Sequence, residues 1–373
     1  MTAKKTAGAK TSAASAPAAA SAAVPAPWIA RQARALLAQR GHAWLLHGPS
    51  GLGQLELALL LARAWLCEQP TPDGACGHCP SCHSMDVRTH ADFLLLMPED
   101  EMLALGWPLP EAAQAELDAK KRKPSRDIRV DAMRDATTFA QRTSARGRGK
   151  VAVLYPAERM NHAAAGALLK TLEEPPGEVR FILASCAAHL LLPTIRSRCQ
   201  GCALPWPPEE QALAWLTAHD IAHAEAAVLL RAAGGRPGQA LALAAAPLEA
   251  APRSGKGALS LSQAAAAQAV QWQALPGLLA RGEGAEALAA LPVAEAVARL
   301  LRLCHDLMCQ QVGAAPRFFS AASLPHHPLS LPALARWQRQ LTQLARHAAH
   351  PFHAPLTAEF LASAARQVLN SRP

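Results

Sequence analysis

The stretch His47-Gly48-Pro49-Ser50-Gly51-Leu52-Gly53-Gln54-Leu55 carries the glycine spacing of a nucleotide-binding P-loop. In a working loop, backbone N–H groups and a helix N-terminus cradle phosphate, a lysine reaches the β- and γ-phosphates, and a Ser or Thr hydroxyl holds Mg²⁺. Gln54 and Leu55 stand where the lysine and the hydroxyl belong. A neutral amide does not replace an ammonium, and an isobutyl group ligates no metal. Gly48, Gly51 and Gly53 therefore keep a loop whose own chemistry is gone, and ATP hydrolysis by this chain is not expected. Ser50 is no substitute nucleophile, because a Gly-x-Ser-x-Gly elbow needs glycine where Leu52 stands.

Outward from the loop, an apolar run at 43–46 enters it and an apolar helical stretch at 55–66 leaves it, giving strand, phosphate loop, helix. Further apolar runs at 93–97, 151–155 and 181–184 alternate with helical stretches at 128–141 and 163–172, and an amphipathic helix at 27–39 precedes them all. Near-continuous apolar strands separated by helices predict an α/β fold with a parallel sheet covered on both faces. Residues 98–125, rich in Pro, Glu and Lys, read as an exposed insertion or hairpin. After Pro205-Trp206-Pro207-Pro208 the strand signal stops and the pattern is helical. The organisation expected is an Ala-rich disordered tail (1–26), an α/β core (27–206), a helical block (207–250), a linker (251–265) and an all-helical block (266–373).

At 373 residues the chain exceeds what one hydrophobic core spans, in keeping with two or three domains. The net charge of +9 suits acidic partners or nucleic acid, although Lys4, Lys5 and Lys10 lie in the tail. Without an uncharged apolar run of about 18 residues no membrane span is expected. The tail lacks a Leu-rich segment and a cleavage pattern, so it does not read as a signal peptide, and a cytoplasmic location is expected.

Nine cysteines are an odd number for a disulfide framework, but four of them are bunched. Cys67, Cys76, Cys79 and Cys82 form C-x8-C-x2-C-x2-C, a spacing that lets four thiolates converge on one tetrahedral Zn²⁺ within a module at 67–82. Four sulfur ligands leave no open position for water, so the metal would be structural. The competing reading is a set of free thiols or a redox CxxC. Cys199 and Cys202 make a lone CxxC, read as core or strand-end packing.

A second ATPase signature would be an apolar strand ending in Asp-Glu, to order Mg²⁺ and the attacking water. The run 151–154 ends instead in Tyr155-Pro156. Two further segments, Asn161 through Leu168-Leu169-Lys170-Thr171-Leu172-Glu173-Glu174-Pro175-Pro176 and then Thr194-Ile195-Arg196-Ser197-Arg198-Cys199, resemble the clamp-loader branch of the AAA+ family. The resemblance is strong from about 27 to 206 and architectural beyond. It implies an AAA+ core with a Cys₄ insertion, a helical lid at 207–250 and a helical collar at 266–373 for oligomerisation. It also implies a place in the bacterial DNA polymerase III holoenzyme, as a stator in a ring with ATP-hydrolysing gamma/tau subunits and delta. Such a ring opens a sliding clamp and loads it on primer-template DNA.

The Ser197-Arg198-Cys199 triplet matches the family's interface motif, whose arginine reaches the neighbour's γ-phosphate in trans. Arg198 is the residue so implicated; taken alone, it and Arg196 read as surface arginines. The family's lid arginine falls at Gly238, with Arg236 nearby. Lys170 is a candidate partner contact, and Lys120-Lys121-Arg122-Lys123 with Arg126 and Arg129 form a basic cluster able to meet DNA phosphates. Two rival functions stand beside this one: an autonomous P-loop ATPase with unusual residues, and a zinc-ribbon nucleic-acid binding protein.

Overall fold

The computed structural model describes residues 25–246, 259–348 and 352–371. Most of the tail and much of the expected linker lie outside the described residues. The chain divides into two compact units: one up to Pro49 and from Gly53 to Leu204, the other from Ser50 to Leu52 and from Pro205 onward.

The first unit is the α/β core. Its elements run α1 (Pro27–Leu37), β1 (Ala43–His47), α2 (Gln54–Leu66), α3 (Pro80–Asp86), β2 (Phe93–Leu96), α4 (Glu99–Ala104), α5 (Glu111–Asp118), α6 (Val130–Gln141), β3 (Lys150–Leu154), α7 (His162–Glu173), β4 (Val179–Ser185), α8 (Pro193–Arg196) and β5 (Gln200–Ala203). All strands are parallel, in the order β2-β3-β4-β1-β5. The central strands are buried along nearly their whole length, which is why they read as unbroken apolar runs rather than alternating ones. Leu45 of β1 and Leu154 of β3 both pair with Leu183 of β4, so the C-terminal ends of three strands lie side by side. In α/β sheets that edge is where ligands bind.

One expectation needs correction, and one strand was not anticipated. Residues 98–125 hold two short helices, α4 and α5, rather than a hairpin. Arg122 ties them together through Glu99 and Glu116, so it is a structural cation within the basic cluster. β5 went unread because Gln200-Gly201-Cys202-Ala203 has no branched or aromatic residue to mark it as a strand.

The second unit is helical: α9 (Glu209–Thr217), α10 (His223–Ala232), α11 (Pro237–Ala244), α12 (Leu261–Arg281), α13 (Ala285–Ala289), α14 (Val293–Gln311), α15 (Leu331–His347) and α16 (Ala354–Leu369). α12 starts inside the stretch expected as linker 251–265, where the Ser260/Gln263 capping box gives it a defined N-terminus. One apolar cluster runs from Ala212 and Leu229 through Trp272 and Leu300 to Trp337 and Leu361, so α9–α11 share a core with α12–α16. Trp272 and Phe319 stack at 4.7 Å within it.

The loop carrying Phe319 is held by a buried carboxylate on α14. Asp306 accepts the backbone N–H groups of Arg317 (2.9 Å), Phe318 (2.7 Å) and Phe319 (2.7 Å). Removing the carboxylate would strand three amides, that of Phe319 buried and those of Arg317 and Phe318 nearer the surface. Asp306→Ala is therefore expected to destabilise the protein by about 3 kcal/mol or more in denaturant titrations, far above the effect of a typical surface substitution.

Candidate functional site

The glycine loop sits at the end of β1, and its first amide, Gly48 N–H, donates to Ser185 O on β4 at 3.3 Å. Gly53 begins α2 at φ 101°, and a Cβ there would lie 2.6 Å from Ile29 Cδ1, so both backbone and packing demand glycine. Gln54, the next residue, is 2% exposed. Its amide nitrogen turns back into the loop and donates to Gly48 O at 2.6 Å and to Pro49 O at 2.8 Å. The side chain at the position expected for a phosphate-binding lysine thus bonds the loop's own carbonyls. Leu55 follows, half-buried.

Ser50–Leu52 group with the helical unit. There Arg236 Nη1 donates to Ser50 Oγ at 3.2 Å, and Gly238 N–H donates to Gly51 O at 3.0 Å. Gly238 has no side chain to reach a phosphate, and the cation two residues before it is engaged by the loop.

Beyond β3, Tyr155 and Pro156 occupy the positions expected for two carboxylates. Burial raises the Tyr155 hydroxyl and pushes the neighbouring Cys186 thiol up to about 11. Among the carboxylates nearby, with Glu56 and Glu101, is Glu158, which sequence reasoning missed. It accepts the Cys186 N–H at 3.1 and 3.3 Å and so braces the backbone after β4.

Arg198 follows the single turn of α8, which Ile195 anchors in the core. Its Nη1 donates to Thr194 O at 2.9 Å, and its Nη2 pairs with the Glu173 carboxylate at the C-terminal end of α7. Glu173 sits at the negative end of a helix dipole, where a cation beside it is favourable. Cys199 packs against the core, Ser197 Oγ donates to Thr194 O at 3.1 Å, and Arg196 is exposed with no ion pair among the described residues. Lys170 lies in the last turn of α7. Cys202 is buried on β5 and accepts from Gln32 Nε2 at 2.9 Å.

Cys67, at the end of α2, and Cys76, Cys79 and Cys82 bring their sulfurs within 4.8 Å of one another. Four of the separations are 3.5, 3.7, 3.8 and 3.9 Å. A tetrahedral thiolate site with metal–sulfur bonds of 2.3 Å places its sulfurs about 3.8 Å apart. The cluster fits a metal ion without rearrangement. Cys76 N–H points at Cys67 Sγ (3.3 Å) and Cys82 N–H at Cys79 Sγ (3.4 Å), donors suited to thiolates. Against its burial, Cys79 is held at about 6 by backbone amides, whereas burial pushes Cys82 up to about 12. Without a cation, four thiolates would not coexist here.

Residues 31–207 match the family described as "DNA polymerase III, delta subunit". Over 179 residues the chain is 41% identical to the delta-prime subunit of DNA polymerase III from Pseudomonas aeruginosa, covering 48% of each chain. This part of the chain resembles a delta-prime subunit. The Escherichia coli delta-prime subunit is 37% identical over 224 residues, 58% of this chain and 60% of that one. The tau subunit of E. coli DNA polymerase III is 32% identical over 158 residues, 42% of this chain and 20% of its own. The chain thus spans about half the length of the delta-prime relatives it matches. The glycine loop, the four cysteines and Arg198 all fall inside the matched segment, and no described helix is long and apolar enough to cross a membrane.

The Cys module is pinned to the sheet by two residues that sequence reasoning did not single out. Ser81 Oγ gives its one proton to Leu66 O (2.6 Å), so it accepts from His90 Nε2 (2.6 Å), and His90 Nδ1 accepts the Asp92 N–H at 3.0 Å. This network assigns His90 as neutral, with the proton on Nε2, and burial holds it below its ordinary value of 6.5. Because the folded state prefers neutral His90, the unfolded state binds more protons below that pH. Its stabilisation is full above about 6.5 and is lost as pH falls towards the depressed folded value. Melting temperature is expected to drop between about pH 7 and 5.5, and His90→Gln should flatten that drop.

Proposed function

We propose that this chain is a non-catalytic subunit of a bacterial clamp loader, acting within the DNA polymerase III holoenzyme on behalf of ATP-hydrolysing neighbours. The observation that carries the reading is the Gln54 amide bonded to Gly48 O and Pro49 O, which completes the phosphate loop with atoms of the chain itself. Leu55, Tyr155 and Pro156 supply no ligand for Mg²⁺ and no base for water. An autonomous ATPase is disfavoured on the same grounds. The delta-prime, tau and gamma relatives support gamma/tau-type ATPases as partners, with delta, the clamp and primer-template DNA met through the assembled ring.

In this reading Arg198 is the working residue. Presented just after α8 and 35% exposed in its side chain, it is accessible to a partner. Its present ligand, Glu173, is a half-exposed carboxylate; pairs of this kind contribute about 0–1 kcal/mol, so exchange for the γ-phosphate of a neighbour's ATP is inexpensive. The guanidinium would then neutralise charge developing on the transferred phosphoryl group, a contribution of about 10³ or more in comparable systems. Cys67, Cys76, Cys79 and Cys82 would hold a structural zinc, which supplies folding energy to the module and no reaction chemistry.

Metal analysis of the purified chain is expected to give one zinc per molecule, falling in Cys79→Ser while the parallel sheet stays folded. Four freely titratable thiols in the native protein would contradict the assignment. For Arg198→Ala in the reconstituted complex with assembly intact, DNA-stimulated ATPase should fall partially, because one ring site is affected, and clamp loading should fall further. Wild-type values for both would make Arg198 a bystander and turn attention to Arg196.

A further inference from the structure

The helical unit contains a cavity of about 520 Å³ that the clamp-loader reading does not use. Its walls include Trp206, Arg231, Gly234, Gly235, Pro316 and Arg317. Trp206 is 47% exposed, a large apolar surface left facing water. It is displayed by Pro205-Trp206-Pro207-Pro208, whose fixed φ angles remove most of the backbone freedom that binding would otherwise have to freeze. Gly234 and Gly235 end α10 at φ 66° and 83°, and a Cβ on Gly235 would lie 3.6 Å from the indole's six-membered ring. Glycine there leaves the ring uncovered by a neighbouring side chain.

Two guanidiniums line the same cavity. Arg317 is fixed: Asp306 grips its backbone N–H, and its Nη2 donates to Gly234 O at 3.3 Å. Arg231 is exposed and makes no ion pair or side-chain hydrogen bond among the described residues. Glu209 also lines the cavity, so two cations face one carboxylate and the net charge is positive. A rigid, half-exposed indole beside unpaired positive charge is the pairing that binds single-stranded nucleic acid, the ring taking a base and the cations the flanking phosphates. A chain of net charge +9 favours that polyanion further.

We propose that this cavity is a binding site for single-stranded nucleic acid, with one base stacked on Trp206 and adjacent phosphates at Arg231 and Arg317. It stands independently of whether Arg198 acts in trans. The test is anisotropy of a fluorescein-labelled oligothymidylate titrated with the full chain over a series of salt concentrations, with a poly-glutamate peptide as competitor. Trp206→Ala should weaken binding about tenfold or more, and Trp206→Phe should retain most of it. Arg231→Ala should weaken binding and make its salt dependence shallower. Arg231 is exposed, so this variant remains informative if Trp206→Ala perturbs folding. Wild-type affinity and salt slope in folded Trp206→Ala and Arg231→Ala would overturn the proposal, as would poly-glutamate binding at the cavity in place of oligothymidylate.

Discussion

The two hydrogen bonds from Gln54 to Gly48 O and Pro49 O close the glycine loop upon itself at the start of α2. In a working phosphate loop the amides serve a ligand; here α2 begins without a side-chain cap, and a lysine at this buried position would need an anion. Burying an uncompensated ammonium costs several kcal/mol. The neutral amide avoids that cost and satisfies two carbonyls, so the loop keeps its shape with no nucleotide required. Gly53, pressed against Ile29, and the burial of Leu57 then fix the start of α2.

In the clamp-loader reading proposed above, a loop completed from within leaves the function to groups that would meet partners. Arg198 has the features required of such a group. It follows a one-turn helix anchored by Ile195, is oriented by Thr194 O and Glu173, and is still part-exposed. The Cys module is tied to the same framework from the other side of α2. Asp92, which receives its share of the His90 network, also accepts the amides of Ala145 and Arg146 at 2.8 and 3.0 Å and faces Lys150 across 3.4 Å. Arg146 in turn pairs with Glu68, next to Cys67. The cysteine cluster and the strands β2 and β3 are thus joined by one chain of polar contacts.

What could be read in advance followed from how strongly each signal is local. The glycine loop, the apolar runs of β1, β3 and β4 and the bunched cysteines are properties of short sequence windows, and the structure brings them together as those windows imply. β5 was illegible because its burial depends on β1, far away in sequence, and not on its own composition. The helices of 98–125 were hidden for a related reason: Arg122, inside an exposed-looking basic run, is what ties Glu99 to Glu116. The inward turn of the Gln54 side chain, the Glu173 pairing of Arg198 and the Ser81–His90–Asp92 chain are tertiary choices. A buried histidine two residues before an aspartate at a strand start was the sole hint of the last.

Whether the glycine loop takes nucleotide is the decisive question. Calorimetric titration of the isolated chain with a slowly hydrolysed ATP analogue and Mg²⁺ addresses it directly. No saturable binding is expected, for wild type and for Gln54→Lys alike, because Leu55, Tyr155 and Pro156 still offer the metal nothing. Stoichiometric, Mg²⁺-dependent binding by the wild-type chain that is lost when Gly53 is replaced would contradict that expectation.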